Sequence, residues 1–312
     1  MITYINGDLF TSPAAVLVNT VNTVGVMGKG IAREFKRIFP AMFSEYQALC
    51  EKGDLIIGSL FLYRTPHKSV LNFPTKQHWR SPSRVEYIEQ GLRTFVDSYE
   101  RLGIDSIAFP QLGCGNGELD WDTQVQPLME HYLKQLPIRI YIHVIDRGQS
   151  VPEHRDPKWM KDWLNAEPES LPASEVWEDL VASVREYPHI NGWDAEVSIS
   201  QVVVPWASDS DDEDTAEEII LFKRGPERTQ ISREELLPIW RKLSTLGLVN
   251  EDDFPYAFQV STAPLKDLLL RLDYIQRVTF VSPRMAREEF VPGLMLVPRQ
   301  QTQQRQLTLL EV

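Results

Sequence analysis

Along the first half of the chain, apolar residues switch repeatedly between two spacings. Short runs at residues 2–5, 15–18, 60–63, 70–73, 106–109 and 138–144 have the length and composition of strands. Between them the spacing turns helical, first at Ile31, Phe35, Ile38 and Phe39. It does so again at Val85, Ile88, Leu92, Phe95, Val96 and Tyr99, and at Val125, Leu128, Met129, Tyr132 and Leu133. Pro40 is expected to end the first of these helices. This alternation predicts an α/β fold over residues 1–147, a mixed central sheet between helices. Ligands of such folds gather in the loops at the carboxyl ends of strands.

The pattern changes after residue 147. Residues 148–175 are rich in charge and proline (Pro152, Pro157, Pro168, Pro172) and read as a linker with short helical pieces. A helix is expected over 176–187, then two strands of a hairpin over 197–204 and 218–222. An acidic loop, Asp209-Ser210-Asp211-Asp212-Glu213-Asp214, joins them. Leu236, Leu237, Trp240, Leu243 and Leu246 form one leucine-rich stripe, and Leu265, Leu268, Leu269 and Leu272 a second. Strands over 278–281 and 294–297 complete a smaller acidic α+β domain, residues 176–299, a candidate interaction module that a winged-helix-like fold would also fit. Residues 300–312 form a polar tail.

Composition narrows the setting. A length of 312 residues suits two domains, and 43% apolar content is enough for packed cores. No stretch nears the ~20 apolar residues of a membrane helix, and the N-terminus lacks a secretion signal's basic and apolar regions. Cys50 and Cys114 are the only cysteines, which fits a reducing cytoplasm and excludes a zinc site built mainly of thiolates. Residues 1–150 hold 15 Lys/Arg against 15 Asp/Glu, so the net charge of −12 falls on residues 151–312. That acidic half is a poor direct DNA binder, because phosphates are repelled. Its acidic loop could mimic DNA toward a basic partner, although an ordinary solvated loop is the simpler reading.

Three segments carry candidate chemistry. The first runs Asn19-Thr20-Val21-Asn22-Thr23-Val24-Gly25-Val26-Met27-Gly28-Lys29-Gly30-Ile31-Ala32, from a strand into a helix. Glycines admit close backbone approach, and amides at a helix start suit phosphate. A Walker P-loop is excluded, since Thr23 stands where it needs Gly and Gly30 where it needs Ser or Thr. The second is Pro110-Gln111-Leu112-Gly113-Cys114-Gly115-Asn116-Gly117-Glu118-Leu119-Asp120-Trp121, also between a strand and a helix. Two such loops on one sheet edge can grip both sides of a pyrophosphate, whereas either alone could be a plain turn. Cys114 has no evident partner base and is not expected to act as a nucleophile. The third, Asn72-Phe73-Pro74-Thr75-Lys76-Gln77-His78-Trp79-Arg80-Ser81-Pro82-Ser83-Arg84, sets basic groups around a tryptophan, a pattern suited to phosphates and an unstacked base.

With Gly7-Asp8-Leu9 after the first strand, these segments make residues 1–145 resemble a macrodomain of the DarG antitoxin type, a group related to terminal ADP-ribose protein glycohydrolase. The resemblance implies an ADP-ribose site. Asp8 would accept a hydrogen bond from the adenine amine, and Asn22 would touch the distal ribose. Gly28, Lys29, Gly30 and Ile31 would hold one side of the pyrophosphate, and Gly113, Cys114, Gly115, Asn116 and Gly117 the other. Leu9, Asn19 and Thr75 complete the ligand-binding set. Lys76 matches the catalytic lysine, with Asn22 orienting it; a plain phosphate-contacting cation is the alternative. An attacking amine must be uncharged, and Arg80 nearby would disfavour its charge. His78, Trp79, Arg80 and Arg84 are the expected nucleic-acid contacts.

One position departs from the pattern: the glycohydrolase relatives carry an acid where this chain has Gly117. No metal or other cofactor is expected, because His67, His78, His131 and His143 are scattered. The activity implied is a DNA ADP-ribosyl glycohydrolase that frees ADP-ribose from a nucleobase, thymine, as antitoxin to a cognate ADP-ribosyltransferase. Its partners would be ADP-ribose and ADP-ribosylated single-stranded DNA, with no membrane. Rival readings are a reader that binds ADP-ribose without turnover, a protein ADP-ribosyl hydrolase, and a toxin-neutralising protein acting through its second domain.

Overall fold

The computed structural model describes residues 2–144, 153–201, 216–255, 258, 263–281 and 290–297. Contacts divide the chain into two compact units, Met1–Trp163 and Leu164–Val312. The acidic loop Asp209–Asp214 and the tail 300–312 lie outside the described residues.

In the first unit the elements run β1 (Ile2–Asn6), β2 (Val16–Asn22), α1 (Gly30–Ile38), α2 (Pro40–Glu51), β3 (Phe61–Tyr63) and β4 (Ser69–Lys76). Then come α3 (Val85–Ser98), β5 (Ser106–Pro110), α4 (Gln126–Leu133) and β6 (Arg139–Val144), with α5 (Pro157–Leu164) spanning the unit's end. The six strands are ordered β1-β6-β5-β2-β4-β3. All neighbours are parallel except β3, which runs antiparallel to β4. This is the expected mixed sheet.

Successive strand residues point to opposite faces, and here both faces are apolar. Val16, Val18, Leu71, Phe73, Ile107, Phe109, Ile140 and Ile142 pack with Ile88, Leu92 and Phe95 of α3 and Met129 and Leu133 of α4. Leu17, Val21, Val70 and Ala108 face the other way, toward Phe35 of α1 and Met42, Phe43 and Tyr46 of α2. Helix α3 lies so close that a Cβ on Gly91 would stand 2.2 Å from the Phe73 ring.

Two local expectations change. Pro40 begins α2 at its first turn instead of merely ending α1, since a missing N–H costs nothing there. Strands β2 and β4 also run beyond their apolar stretches into Asn19–Asn22 and Asn72–Lys76. Polar side chains are tolerated at this depth because they pair: Asn19 and Asn72 are register partners, and Asn19 Nδ2 donates to Asn72 Oδ1 at 2.9 Å.

The second unit holds α6 (Ala173–Glu186), β7 (His189–Ile190), β8 (Trp193–Gln201), β9 (Ala216–Arg224) and β10 (Glu227–Ser232). They are followed by α7 (Arg233–Leu246), β11 (Leu248–Asn250), α8 (Ala263–Leu269), β12 (Ile275–Val281) and β13 (Phe290–Leu296). β8 and β9 form the anticipated hairpin, within an antiparallel sheet β10-β9-β8-β7; a second sheet is ordered β11-β13-β12. Helix α7 starts on a Ser232–Glu235 capping box and stops at left-handed Gly247. It buries Leu236, Ile239, Trp240 and Leu243, while Leu246, expected on that stripe, is exposed.

Candidate active site

The carboxyl ends of β6, β5, β2 and β4 sit side by side at one edge of the first sheet. The loops leaving them enclose a cleft of about 620 Å³. Lys29, Gly30 and Ile31 line it from the first glycine loop, Gly113–Gly117 from the second, and Leu9, Asn22, Thr75 and Lys76 from strand or turn ends. The structure thus brings together most of the residues picked out by sequence.

Lys76 and Asn22 meet by strand register. They are partners across the parallel β2/β4 pair, after a shift that leaves Thr75 as the extra residue. Lys76 is only 6% exposed, at the base of the cleft. Asn22 is largely committed to its own loop. Its Oδ1 accepts from the amides of Val24 and Val26 (3.1 and 3.2 Å) and from the Tyr46 hydroxyl (3.0 Å), while its Nδ2 donates to Val26 O at 2.7 Å. The side chain therefore shapes the first glycine loop as well as the cleft wall.

The two glycine loops touch above the cleft: a Cβ on Gly30, which has φ +60°, would stand 2.8 Å from Asn116 Nδ2. Lys29 is the N-cap of α1 and makes no side-chain cap, so the first amides of that helix are not claimed by one. Such amides suit an anion. Two further expected ligands lie elsewhere. Asn19 is fully buried beneath the loop, bound to Asn72, and Gly28 is likewise not on the cleft wall. Asp8 is exposed on an adjoining hollow shared with Gly30 and Ile31, where its Oδ1 accepts from the Phe10 amide at 3.1 Å.

The second loop explains the missing acid. A Cβ on Gly117 would stand 2.2 Å from Ser83 Oγ and 2.3 Å from the Gly113 carbonyl, so Ser83 fills the space a side chain would need. The Ser83 amide also donates to Gly117 O at 3.0 Å. Neither nearby carboxylate substitutes. Glu118 turns away to His154 Nε2 (2.8 Å) and Arg155 (2.5 Å), and Asp120 caps the turn at Trp121–Val125 by accepting from the Thr123 amide at 2.7 Å. Burial, with Asp120 and Asp122 adding to it, pushes the Cys114 thiol up to about 12, which leaves it protonated and unreactive.

Residues 18–128 match the Macro domain family. The first unit holds a macrodomain. The DNA ADP-ribosyl glycohydrolases of Mycobacterium tuberculosis and Thermus aquaticus are each 48% identical to it, over 141 and 134 residues. Those matches cover 44% and 42% of this chain and 40% and 37% of the relatives, so less than half of each relative's length is spanned. A DNA ADP-ribosyl transferase–DNA ADP-ribosyl glycohydrolase fusion protein of Thermosipho africanus is 39% identical over 179 residues, 51% of this chain and 45% of that protein. Among solved structures, the macrodomain of Thermus aquaticus DarG is 44% identical, covering 46% of this chain and 98% of that one, with a TM-score of 0.44.

Around the macrodomain cleft, the basic loop after β4 is less open than its sequence suggested. Trp79 is fully buried, with the Arg80 guanidinium 4.1 Å from its ring centroid. That corrects the expectation of a base stacking on Trp79, because no face of the ring is available. His78 is half-buried and its Nδ1 accepts from the Arg80 amide at 3.1 Å. Arg84 is exposed at the start of α3, with its guanidinium 5.7 Å from the Tyr87 ring centroid. Sequence reasoning also missed His143, which lines the cleft at 3% exposure. Its Nδ1 lies 3.1 Å from the Gly7 carbonyl, which can only accept, so that nitrogen carries the proton. The available signal was a polar residue at the end of an otherwise apolar strand. Among the described residues no helix is long and apolar enough to cross a membrane.

Proposed function

We propose that the protein is a DNA ADP-ribosyl glycohydrolase, releasing ADP-ribose from a thymine base of single-stranded DNA and serving as antitoxin to a cognate ADP-ribosyltransferase in the cytoplasm. The observation that carries this reading is Lys76, almost fully buried at the strand end where two glycine loops close a cleft able to hold a pyrophosphate. The activities by which the relatives are named, the transferase–glycohydrolase fusion included, support the substrate and the partner.

The pyrophosphate lies between the α1 amides and the second loop, which directs the distal ribose toward Lys76 and Asn22. The Lys76 amine adds to C1″ as the bond from C1″ to the base nitrogen breaks, and the base takes up a proton. Water then hydrolyses the bond between lysine and sugar, which frees ADP-ribose and restores the amine. Net consumption is one water. Arg80, Arg84 and His78 remain the proposed contacts for DNA phosphates; Trp79 supports them from beneath.

The test is release of ADP-ribose from a modified oligonucleotide by the wild type and by Lys76→Ala, with at least about a hundredfold loss expected in the variant. Equal release by both proteins would sink the mechanism. A second reading, a reader without turnover, is favoured by Gly117, which supplies no carboxylate where the resemblance implies one, and by the engagement of Glu118 with His154 and Arg155 and of Asp120 with Thr123. Tight ADP-ribose binding by a wild type that releases nothing from DNA or protein would select it.

A further inference from the structure

We propose that His154 and Arg155 are positioning residues for the phosphate-binding edge of the cleft, holding the second glycine loop in shape through Glu118. The inference rests on the reading that this cleft takes ADP-ribose. It places part of the functional apparatus beyond the segment that matches the Macro domain family, which ends at residue 128.

Glu118 is held where side chains are disfavoured. Its φ is +64°, in the left-handed region, and it follows the four-residue turn in which its amide donates to Gly115 O at 3.2 Å. A non-glycine residue stays there only when its surroundings over-determine it. Two anchors do so. On one side Ser83 binds the Gly117 carbonyl, and Leu119 N donates to Gly113 O at 3.0 Å. On the other, the Glu118 carboxylate is gripped by His154 Nε2 and Arg155 Nε at 2.8 and 2.5 Å. The Glu118 and His154 side chains are 27% and 11% exposed, so the contact is shielded compared with a surface pair.

The tether acts on binding in two ways. It fixes the direction of the amides of residues 113–117, so the ligand does not have to order them. It also neutralises a carboxylate at the edge of a site for a doubly charged pyrophosphate, which a bare Glu118 would repel. Both effects belong to the bound phosphates, not to the core of the unit, because neither His154 nor Arg155 is among the buried residues that form it.

The experiment uses the full chain and ADP-ribose as probe. In His154→Ala/Arg155→Ala, calorimetry should show affinity reduced about tenfold, with melting temperature within a few degrees of wild type. Amide exchange should quicken at residues 113–119 and stay unchanged at 26–31. Glu118→Gly, which tolerates the left-handed φ but removes the carboxylate that the tether grips, should itself weaken binding and quicken exchange at 113–119, and should be indifferent to further loss of His154 and Arg155. Wild-type affinity in the double variant, or equal sensitivity to it in the Glu118→Gly background, overturns the proposal. Should the double variant fold poorly, Arg155→Gln alone must still quicken exchange at 113–119, and unchanged exchange overturns the tether. A wild type that does not bind ADP-ribose refutes the site reading instead, while the exchange measurement still decides the tether.

Discussion

Installing an acid at Gly117, where the resemblance to terminal ADP-ribose protein glycohydrolase implies one, should damage this protein, not improve it. In Gly117→Asp the new Cβ meets Ser83 Oγ at 2.2 Å and the Gly113 carbonyl at 2.3 Å. The first neighbour is a short buried side chain, and the second is backbone that already accepts from Leu119 N. Neither can move by the ångström required without opening the loop turn. Overpacking of this kind costs about 1–3 kcal/mol. For a unit of this size that lowers the melting temperature by roughly 3–10 °C. Because the strain falls on the loop proposed to hold the pyrophosphate, ADP-ribose affinity should drop by at least about tenfold. Adding Ser83→Gly removes one of the two collisions, so the double variant should recover part of the melting temperature and less of the affinity. Differential scanning calorimetry and ligand titration of the three proteins test this. If Gly117→Asp melts and binds like wild type, the account of the missing acid is wrong.

Two further outcomes follow from groups whose ionisation is shifted. Burial raises the thiols of Cys50 and Cys114 to about 12, so at pH 8 only on the order of one in ten thousand is thiolate; iodoacetamide should label neither quickly in the native protein and both in urea, and fast native labelling of Cys114 would refute this. His154, and then Arg155, hold the Glu118 carboxyl below the usual carboxylate range, so its stabilising contribution is present above the unfolded-state value and is lost as pH falls through the depressed one. The melting-temperature gap between wild type and Glu118→Gln should accordingly close on acidification, and a gap that widens contradicts the pairing.

The sheet and its loops were legible because their signals are local. Runs such as 138–144 and the stripe from Val85 to Tyr99 each lie within one element, and they became β6 and α3. Glycine loops following strands could only lie at the carboxyl edge of a parallel sheet, which placed Gly30 and Gly113–Gly117 together. What failed was information held by pairing across the fold. Asn19 entered the ligand set through the resemblance, yet it is fully buried and its Nδ2 donates to Asn72 on β4. Trp79 looked accessible because its neighbours are polar, but burial of a ring depends on distant chain. His143 was discounted as one of several scattered histidines, although β6 ends beside the cleft. Helix α2 was missed because Pro40 can either close one helix or open the next.

Gly117, standing where the resemblance implies an acid, also bears on which bond can be cleaved. A leaving group that departs as a poor, localised anion, such as a serine alkoxide, needs a general acid to protonate it in the transition state. Asp120, on the cleft wall, accepts from Thr123, and Glu118, off that wall, pairs with His154 and Arg155; these contacts hold both carboxyls below the usual range, so neither is a ready proton donor. An imide nitrogen of thymine leaves as an anion spread over two carbonyl oxygens and asks for far less help. This supports the proposed nucleobase substrate over a hydroxyl side chain. In a substrate panel at equal concentration, ADP-ribosylated thymidine oligonucleotide should be turned over at least about a hundredfold faster than a serine-linked peptide. Comparable rates on the two would mean that a proton donor reaches the leaving atom after all, and the argument from Gly117 would have to be abandoned.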